Sequence, residues 1–231
     1  KAELEAVLNE EKLQTVLADG RVLNYDKVLI MGILNITPDS FYENSRTAIE
    51  EVVAKAGQML ADGADILDIG GESTRPGSEA VAAEEEQARV LPVIEALRKA
   101  YPEAVISIDT YRASTARLAI EAGADVINDI SAMEADAEMI DVVCETKAPI
   151  ILMHMRGTPQ NMQTQCEYKN VLEEVAVYLV ERANLLRERG VGADKIILDP
   201  GIGFAKNTEQ NLKLMRDLHA LTSFGYPVLL A

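Results

Sequence analysis

Residues able to hold protons, cations or flat polar ligands recur in this chain directly after short apolar runs. Asn35 follows Met31-Gly32-Ile33-Leu34, Glu72 and Ser73 follow Asp68-Ile69-Gly70-Gly71, and Asp109 follows Ser107-Ile108. Asn128 and Asp129 follow Val126-Ile127, His154 follows Leu152-Met153, and Asp199 follows Ile197-Leu198. A carboxylate accepts paired hydrogen bonds from a planar N–H edge, an amide both donates and accepts, and hard cations use the same oxygens. One polar residue at a strand end commonly does no more than cap the next helix. Six such positions on one rim point instead to a binding site. His154 and His219 are the only histidines, and Cys144 and Cys166 show no metal-ligand spacing, so a zinc centre is not expected.

For these groups to meet, the apolar runs must be parallel strands whose C-terminal ends share one face. Seven candidates fit: Val28 to Leu34, Ile66 to Ile69, Val105 to Ile108, Val126 to Ile127, Pro149 to Met153, Ile196 to Leu198 and Pro227 to Leu230. Amphipathic stretches separate them, among them Leu172, Val175, Leu179, Ala183 and Leu186 at helical spacing ahead of Gly190. Gly63-Ala64-Asp65, Gly123-Ala124-Asp125 and Gly192-Ala193-Asp194 recur between a helix and the next strand, each glycine a candidate helix C-cap. Such alternation predicts an α/β fold, a (β/α)8 TIM barrel, with an open doubly wound sheet as the alternative. Residues 1–27 are expected to form an N-terminal helix and a hairpin turning at Asp19-Gly20, packed on the lower end of the barrel. Residues 28–231 are then the barrel itself. Because an eighth strand and two helices have no counterpart before Ala231, the chain is expected to be truncated after its seventh strand.

With 231 residues, 48% hydrophobic, the chain can bury one substantial core. A formal charge of -16 with no basic run argues against nucleic acid or an anionic membrane as partner. The sequence shows no signal-peptide pattern and no apolar stretch near the roughly 20 residues of a membrane span, so a cytoplasmic protein is expected.

Several segments carry a closer likeness. Met31-Gly32-Ile33-Leu34-Asn35-Ile36-Thr37-Pro38-Asp39-Ser40-Phe41 and Gly70-Gly71-Glu72-Ser73-Thr74-Arg75-Pro76-Gly77 resemble the first two signatures of the dihydropteroate synthases. Ser107-Ile108-Asp109-Thr110, Ile127-Asn128-Asp129-Ile130, Leu152-Met153-His154-Met155 and Leu198 to Lys206 continue the likeness in the same order. The resemblance implies an enzyme that joins a pterin pyrophosphate to 4-aminobenzoate, with Mg²⁺ as cofactor and a homodimer as its expected state. By the same likeness Asp199 grips the amino-pyrimidinone edge of the pterin, and Asp109 and Asn128 hold its other polar edges. Met153 supplies an apolar wall, Phe204 borders the same slot, and Asn35 is the metal ligand. Asp109 and Asp39 are implied to stabilise a cationic pterin methylene, and Arg75 acts with them. Phe41, Thr74, Arg75 and Pro76 fall on the loops of the aminobenzoate pocket, with Phe204 and Lys206 below it. Two features depart from the pattern: Tyr42 to Arg46 replace a glycine-containing loop, and a Ser-Arg-Lys motif expected beyond Ala231 is absent from the sequence. A folate-dependent corrinoid methyltransferase domain and a catalytically silent pterin-binding barrel are the rival readings.

Overall fold

β-Branched and leucine-rich runs bounded by turn residues pair side by side, as their length and spacing demand. A computed structural model describes residues 13–36, 46–72 and 81–231. Two short antiparallel strands come first, β1 (Gln14–Val16) and β2 (Val22–Asn24), turning at Asp19-Gly20. The helix expected ahead of them lies outside the described residues. Six parallel strands then form one sheet in sequence order: β3 (Met31–Asn35), β4 (Ile66–Gly70), β5 (Val105–Asp109), β6 (Val126–Asp129), β7 (Ile150–Met153) and β8 (Ile196–Asp199). Helices α1 (Arg46–Ala61), α2 (Ala83–Ala100), α3 (Ala113–Glu121), α4 (Met139–Thr146) and α5 (Val171–Glu188) connect successive strands, and α6 (Thr208–Arg216) and a short α7 (His219–Thr222) follow β8. An unbroken β3-to-β8 order with a helix after each strand is the winding of a (β/α)8 barrel and excludes the doubly wound order, in which the strand sequence reverses.

The seventh predicted strand, Pro227 to Leu230, joins the sheet by a single parallel bridge between Leu198 and Val228. Two hydrogen bonds of 2.9 Å hold it: the Leu198 N–H donates to the Pro227 carbonyl, and the Leu229 N–H to the Leu198 carbonyl. The first predicted strand starts later than its apolar run suggests. Val28 and Ile30 are 87% and 55% exposed, and the Ile30 backbone is tied to the turn before β4, its N–H donating to Asp65 Oδ2 at 2.9 Å.

Side chains alternate across the sheet. Leu67, Ile69, Ile106, Ile108, Ile127, Ile150, Leu152, Ile196 and Leu198 pack outward against the helices, where Val90, Ile94, Leu97, Val175, Leu179 and Leu186 meet them. Ile66, Val105, Val126, Ile151 and Ile197 point inward and form a separate apolar layer with Leu17 of the hairpin. Leu17 is 1% exposed, and through it the hairpin covers the inward apolar layer at the start of the strands. Gly63 and Gly123 end α1 and α3 with φ of 106° and 114°, the left-handed conformation that favours glycine. The third repeat differs. Gly190, at φ 84°, ends α5, while Gly192 has an extended φ of -64° and opens a short 3-10 turn.

Candidate active site

Period-two alternation fixes which residues line the interior above the apolar layer. Continuing inward from Ile66 come Asp68 and Gly70; from Val105, Ser107 and Asp109; from Val126, Asn128; from Ile151, Met153; and from Ile197, Asp199. On β3 the same count gives Met31, Ile33 and Asn35. Register then sets their heights. Asn35, Gly70, Asp109 and Asn128 occupy one rung across four neighbouring strands, and Met153 is level with Asp199. Five of the residues read from sequence as pterin or metal contacts therefore stand inside one mouth at the C-terminal end of the strands.

Gly70 lets two of them approach. A Cβ placed there would lie 3.2 Å from Asn35 Oδ1 and 3.4 Å from Asp109 Oδ2, so the amide and the carboxylate face each other across a residue with no side chain. Burial raises the Asp109 carboxyl well above the ordinary range, and the carboxylates of Asp68, Glu86, Asp129 and Glu72 push it further in the same direction. Asp199 is 3% exposed and accepts the Gly201 N–H on Oδ1 at 2.7 Å. Burial pushes it up to about 7, against the opposing pull of that bond and of Lys206.

Beneath the loop that follows β8, Lys206 is 3% exposed. Its Nζ donates to the carbonyls of Phe204 at 2.8 Å, Gly201 at 2.9 Å and His154 at 3.2 Å, and meets His154 Nδ1 at 3.0 Å. Burial brings the Lys206 ammonium down to about 7 and the His154 imidazole down to about 3, so the imidazole is neutral and can accept from the ammonium. Lys206 thus staples the loop that carries Gly201 and Phe204, just past Asp199, to the segment that follows β7. Phe204 is half-buried on that loop.

Other strand-end residues have local tasks. Asp129 accepts the N–H groups of Ser131 and Met133 at 2.8 and 2.7 Å and closes the turn after β6. Glu72 accepts from Arg112 Nη2 at 2.8 Å, the Tyr111 hydroxyl at 2.9 Å and the Val81 N–H at 3.2 Å. Arg112 also reaches Glu86 Oε2 at 3.0 Å and donates to the Val81 carbonyl at 2.6 Å. Tyr111, Arg112 and Glu86 were not singled out by sequence reasoning, because no local spacing announces a network formed between α2 and the segment after β5. Asp68 was passed over as part of a motif, although its place two residues before Gly70 marks it as inward-facing. Asp39, Phe41, Thr74, Arg75 and Pro76 lie outside the described residues.

Three comparisons with known proteins bear on this mouth. The family model described as "Pterin binding enzyme" matches residues 31–231. A dihydropteroate synthase of Synechocystis sp. is 47% identical over 204 residues, which are 88% of this chain and 70% of that protein. Among solved structures, the Xanthomonas albilineans dihydropteroate synthase with 4-aminobenzoic acid aligns with a TM-score of 0.85 and 40% identity, over 95% of this chain and 77% of that one. The Burkholderia cenocepacia dihydropteroate synthase complexed with 7,8-dihydropteroate gives 0.82 and 38%, over 95% and 76%. By the family model, the identity and the shared barrel together, the chain belongs to the dihydropteroate synthases of the pterin-binding enzyme family.

Proposed function

We propose that this mouth condenses 6-hydroxymethyl-7,8-dihydropterin pyrophosphate with 4-aminobenzoate to give 7,8-dihydropteroate and pyrophosphate, a transferase step of folate biosynthesis. One observation carries the reading: Asp68 and Asp199, buried, and Asp109, half-buried, all face the barrel interior, with no guanidinium among the described residues paired to them. Such a site favours a ligand that brings N–H donors and develops positive charge.

A pterin does both. Its amino-pyrimidinone edge offers adjacent N–H donors, and Asp199 retains an oxygen for them beyond the bond from Gly201. Asn128 and Asp109, level with each other on neighbouring strands, take the remaining polar edges, and Met153 closes the slot with apolar surface. As the C–O bond to pyrophosphate breaks, its electron pair leaves with the pyrophosphate and the methylene becomes cationic. Asp109 stabilises that charge, and the stabilisation is large because the carboxylate is desolvated before the charge appears. The aromatic amine then forms the new C–N bond and loses a proton. Asp39, Arg75 and the aminobenzoate-loop residues Phe41, Thr74 and Pro76 enter on motif resemblance alone, as do Phe204 and Lys206 as pocket neighbours.

Mg²⁺ fits the residues present. Among the described residues no group of three or more His, Cys, Asp or Glu is placed to hold a metal unaided. Asn35 is exposed at the mouth with its Oδ1 over Gly70, and Mg²⁺ typically takes few protein oxygens and completes its shell with phosphate and water. Asn35 would hold the ion, which supplies charge neutralisation for the departing pyrophosphate. The test is a condensation assay with both substrates, with Mg²⁺ supplied and then chelated. Product formation that needs the metal supports the reading, and no product under either condition overturns it.

A further inference from the structure

We propose that Asp68 is a positioning residue that fixes which way the side-chain amide of Asn128 faces in the pterin slot; the inference rests on Asn128 being a pterin contact. Asn128 Nδ2 donates to Asp68 Oδ2 at 3.1 Å across the barrel interior, from β6 to β4. Both side chains are buried, at 4% exposure for Asp68 and 9% for Asn128. Asp68 stands one inward position below Gly70, on the rung beneath Asp109 and Asn128, so its carboxyl meets the amide from below.

An amide has two ends of nearly equal shape and opposite hydrogen-bonding sense. With Oδ2 of Asp68 accepting from its nitrogen, Asn128 keeps Oδ1 and its second N–H for a ligand. Turned over, the amide would set its oxygen against Asp68 Oδ2, lone pair against lone pair, between two buried side chains where the repulsion is poorly screened. The slot therefore offers an acceptor and a donor in one order only. A heteroaromatic ring whose edge has the reverse order is refused. Asp68 makes Asn128 a reader of ring orientation without touching the ring.

A second observation separates this role from holding the fold together. Asp68 Oδ1 is buried and has no hydrogen-bond partner among the described residues. Burial pushes the carboxyl above the ordinary carboxylate range, against the opposing pull of the Ser107 hydroxyl, level with it on β5, and of the Asn128 amide. An unpartnered buried carboxylate oxygen lowers stability, so Asp68 is a poor stabilising device and a good orienting one.

Asp68→Asn preserves the shape and removes the preference, because an amide can present nitrogen or oxygen to its neighbour. We expect calorimetry with 6-hydroxymethyl-7,8-dihydropterin pyrophosphate to show an affinity about tenfold weaker, the scale of one misdirected hydrogen bond. The KM for 4-aminobenzoate should barely move, and the thermal midpoint should be unchanged or higher. In an Asn128→Ala background, Asp68→Asn should cause no further loss, since there is no amide left to orient. Unaltered pterin affinity in Asp68→Asn, or a loss that adds in full to that of Asn128→Ala, overturns the proposal. So does an Asp68→Asn protein that cannot fold, which would make the carboxylate a structural requirement. If Asn128→Ala alone binds the pterin normally, Asn128 is no pterin contact, and it is the underlying reading that fails.

Discussion

The two ends of the barrel use the same residue types in opposite ways. At the lower end carboxylates are paired and partly solvated: Asp125 meets Arg98 at 2.6 Å and also Arg21, and Asp65 meets Lys27 at 2.8 Å. The backbone N–H of Arg21 holds Asp19 below the usual carboxylate range, and the Lys27 ammonium does the same for Asp65. At the upper end burial pushes Asp68, Asp109, Asp129 and Asp199 the other way. The difference lies in desolvation that no cation outweighs: Lys206 and Arg182 lower Asp199 and Asp129 by less than burial raises them. Six strands and a sealed apolar layer below make such an arrangement tolerable above, so stability is concentrated at one end and poised charge at the other.

Truncating the seal should have the largest effect. Leu17→Ala removes a side chain 1% exposed against Ile66, Val105, Val126, Ile151 and Ile197. A loss of about 3 kcal/mol in urea denaturation is expected, within the range for buried leucine truncations. Pterin affinity of the folded fraction should be unchanged; a protein that folds normally but has lost pterin binding would show that the two ends are not separable.

Next in size is Asp199→Asn, expected to weaken pterin binding by about 1.5 to 3 kcal/mol, the scale of hydrogen bonds to a charged group. Its pH dependence sharpens the contrast. The native Asp199 carboxyl, raised from 3.8 to about 7, binds its proton more tightly than the unfolded chain does. Its stabilising contribution is therefore full below the unfolded value and is lost as pH rises through the native one. Relative to the parent, Asp199→Asn should gain stability between about pH 4 and 7. His154 and Arg156 also face this region and are common to both proteins, whereas Lys206, whose ammonium the Asp199 carboxylate favours, shifts with the substitution, so the difference curve reports Asp199 together with its effect on Lys206. Parent pterin affinity should climb as pH rises through about 7 and stay flat in the variant. Parallel denaturation curves across that window would mean that Asp199 is not desolvated.

Most of this contrast was legible in the sequence, and the reasons for the rest are specific. Asn35, Asp109, Asn128 and Asp199 could be placed on one rim because each directly follows or ends a strand whose inward parity is set by the alternation. Position alone could not separate them from Asp129, His154 and Glu72, which share the strand ends but turn to a tight turn, a buried ammonium and Arg112. That choice depends on backbone direction one residue past the strand. In the third Gly-Ala-Asp the helix ends at Gly190, as the spacing of Leu172 to Leu186 predicts, and only Gly192 as a C-cap fails, since a glycine two residues earlier has already taken the left-handed position. Asp68 was hidden for another reason: an acidic residue in mid-strand looks like motif filler until the partner that faces it, 60 positions away, is known.

The smallest effect should come from Lys27→Ala. Lys27 is 70% exposed on its side chain, and Asp65, 24% exposed, keeps a second partner in the Ile30 N–H at 2.9 Å. Removing the ammonium leaves no buried unpaired charge, so the loss should be at most about 0.5 kcal/mol, as for exposed ion pairs. It should shrink further in about 1 M salt, where the screening length falls to roughly 3 Å. Because Asp65 is held below its ordinary value, its contribution is present above pH 3.8 and disappears as pH falls through the lower native value. The difference between parent and variant should accordingly close in acid, the opposite direction to Asp199→Asn. A loss of several kcal/mol, insensitive to salt, would show that the lower-end pairs hold the barrel shut rather than decorate its rim, and the division of labour between the two ends would have to be redrawn.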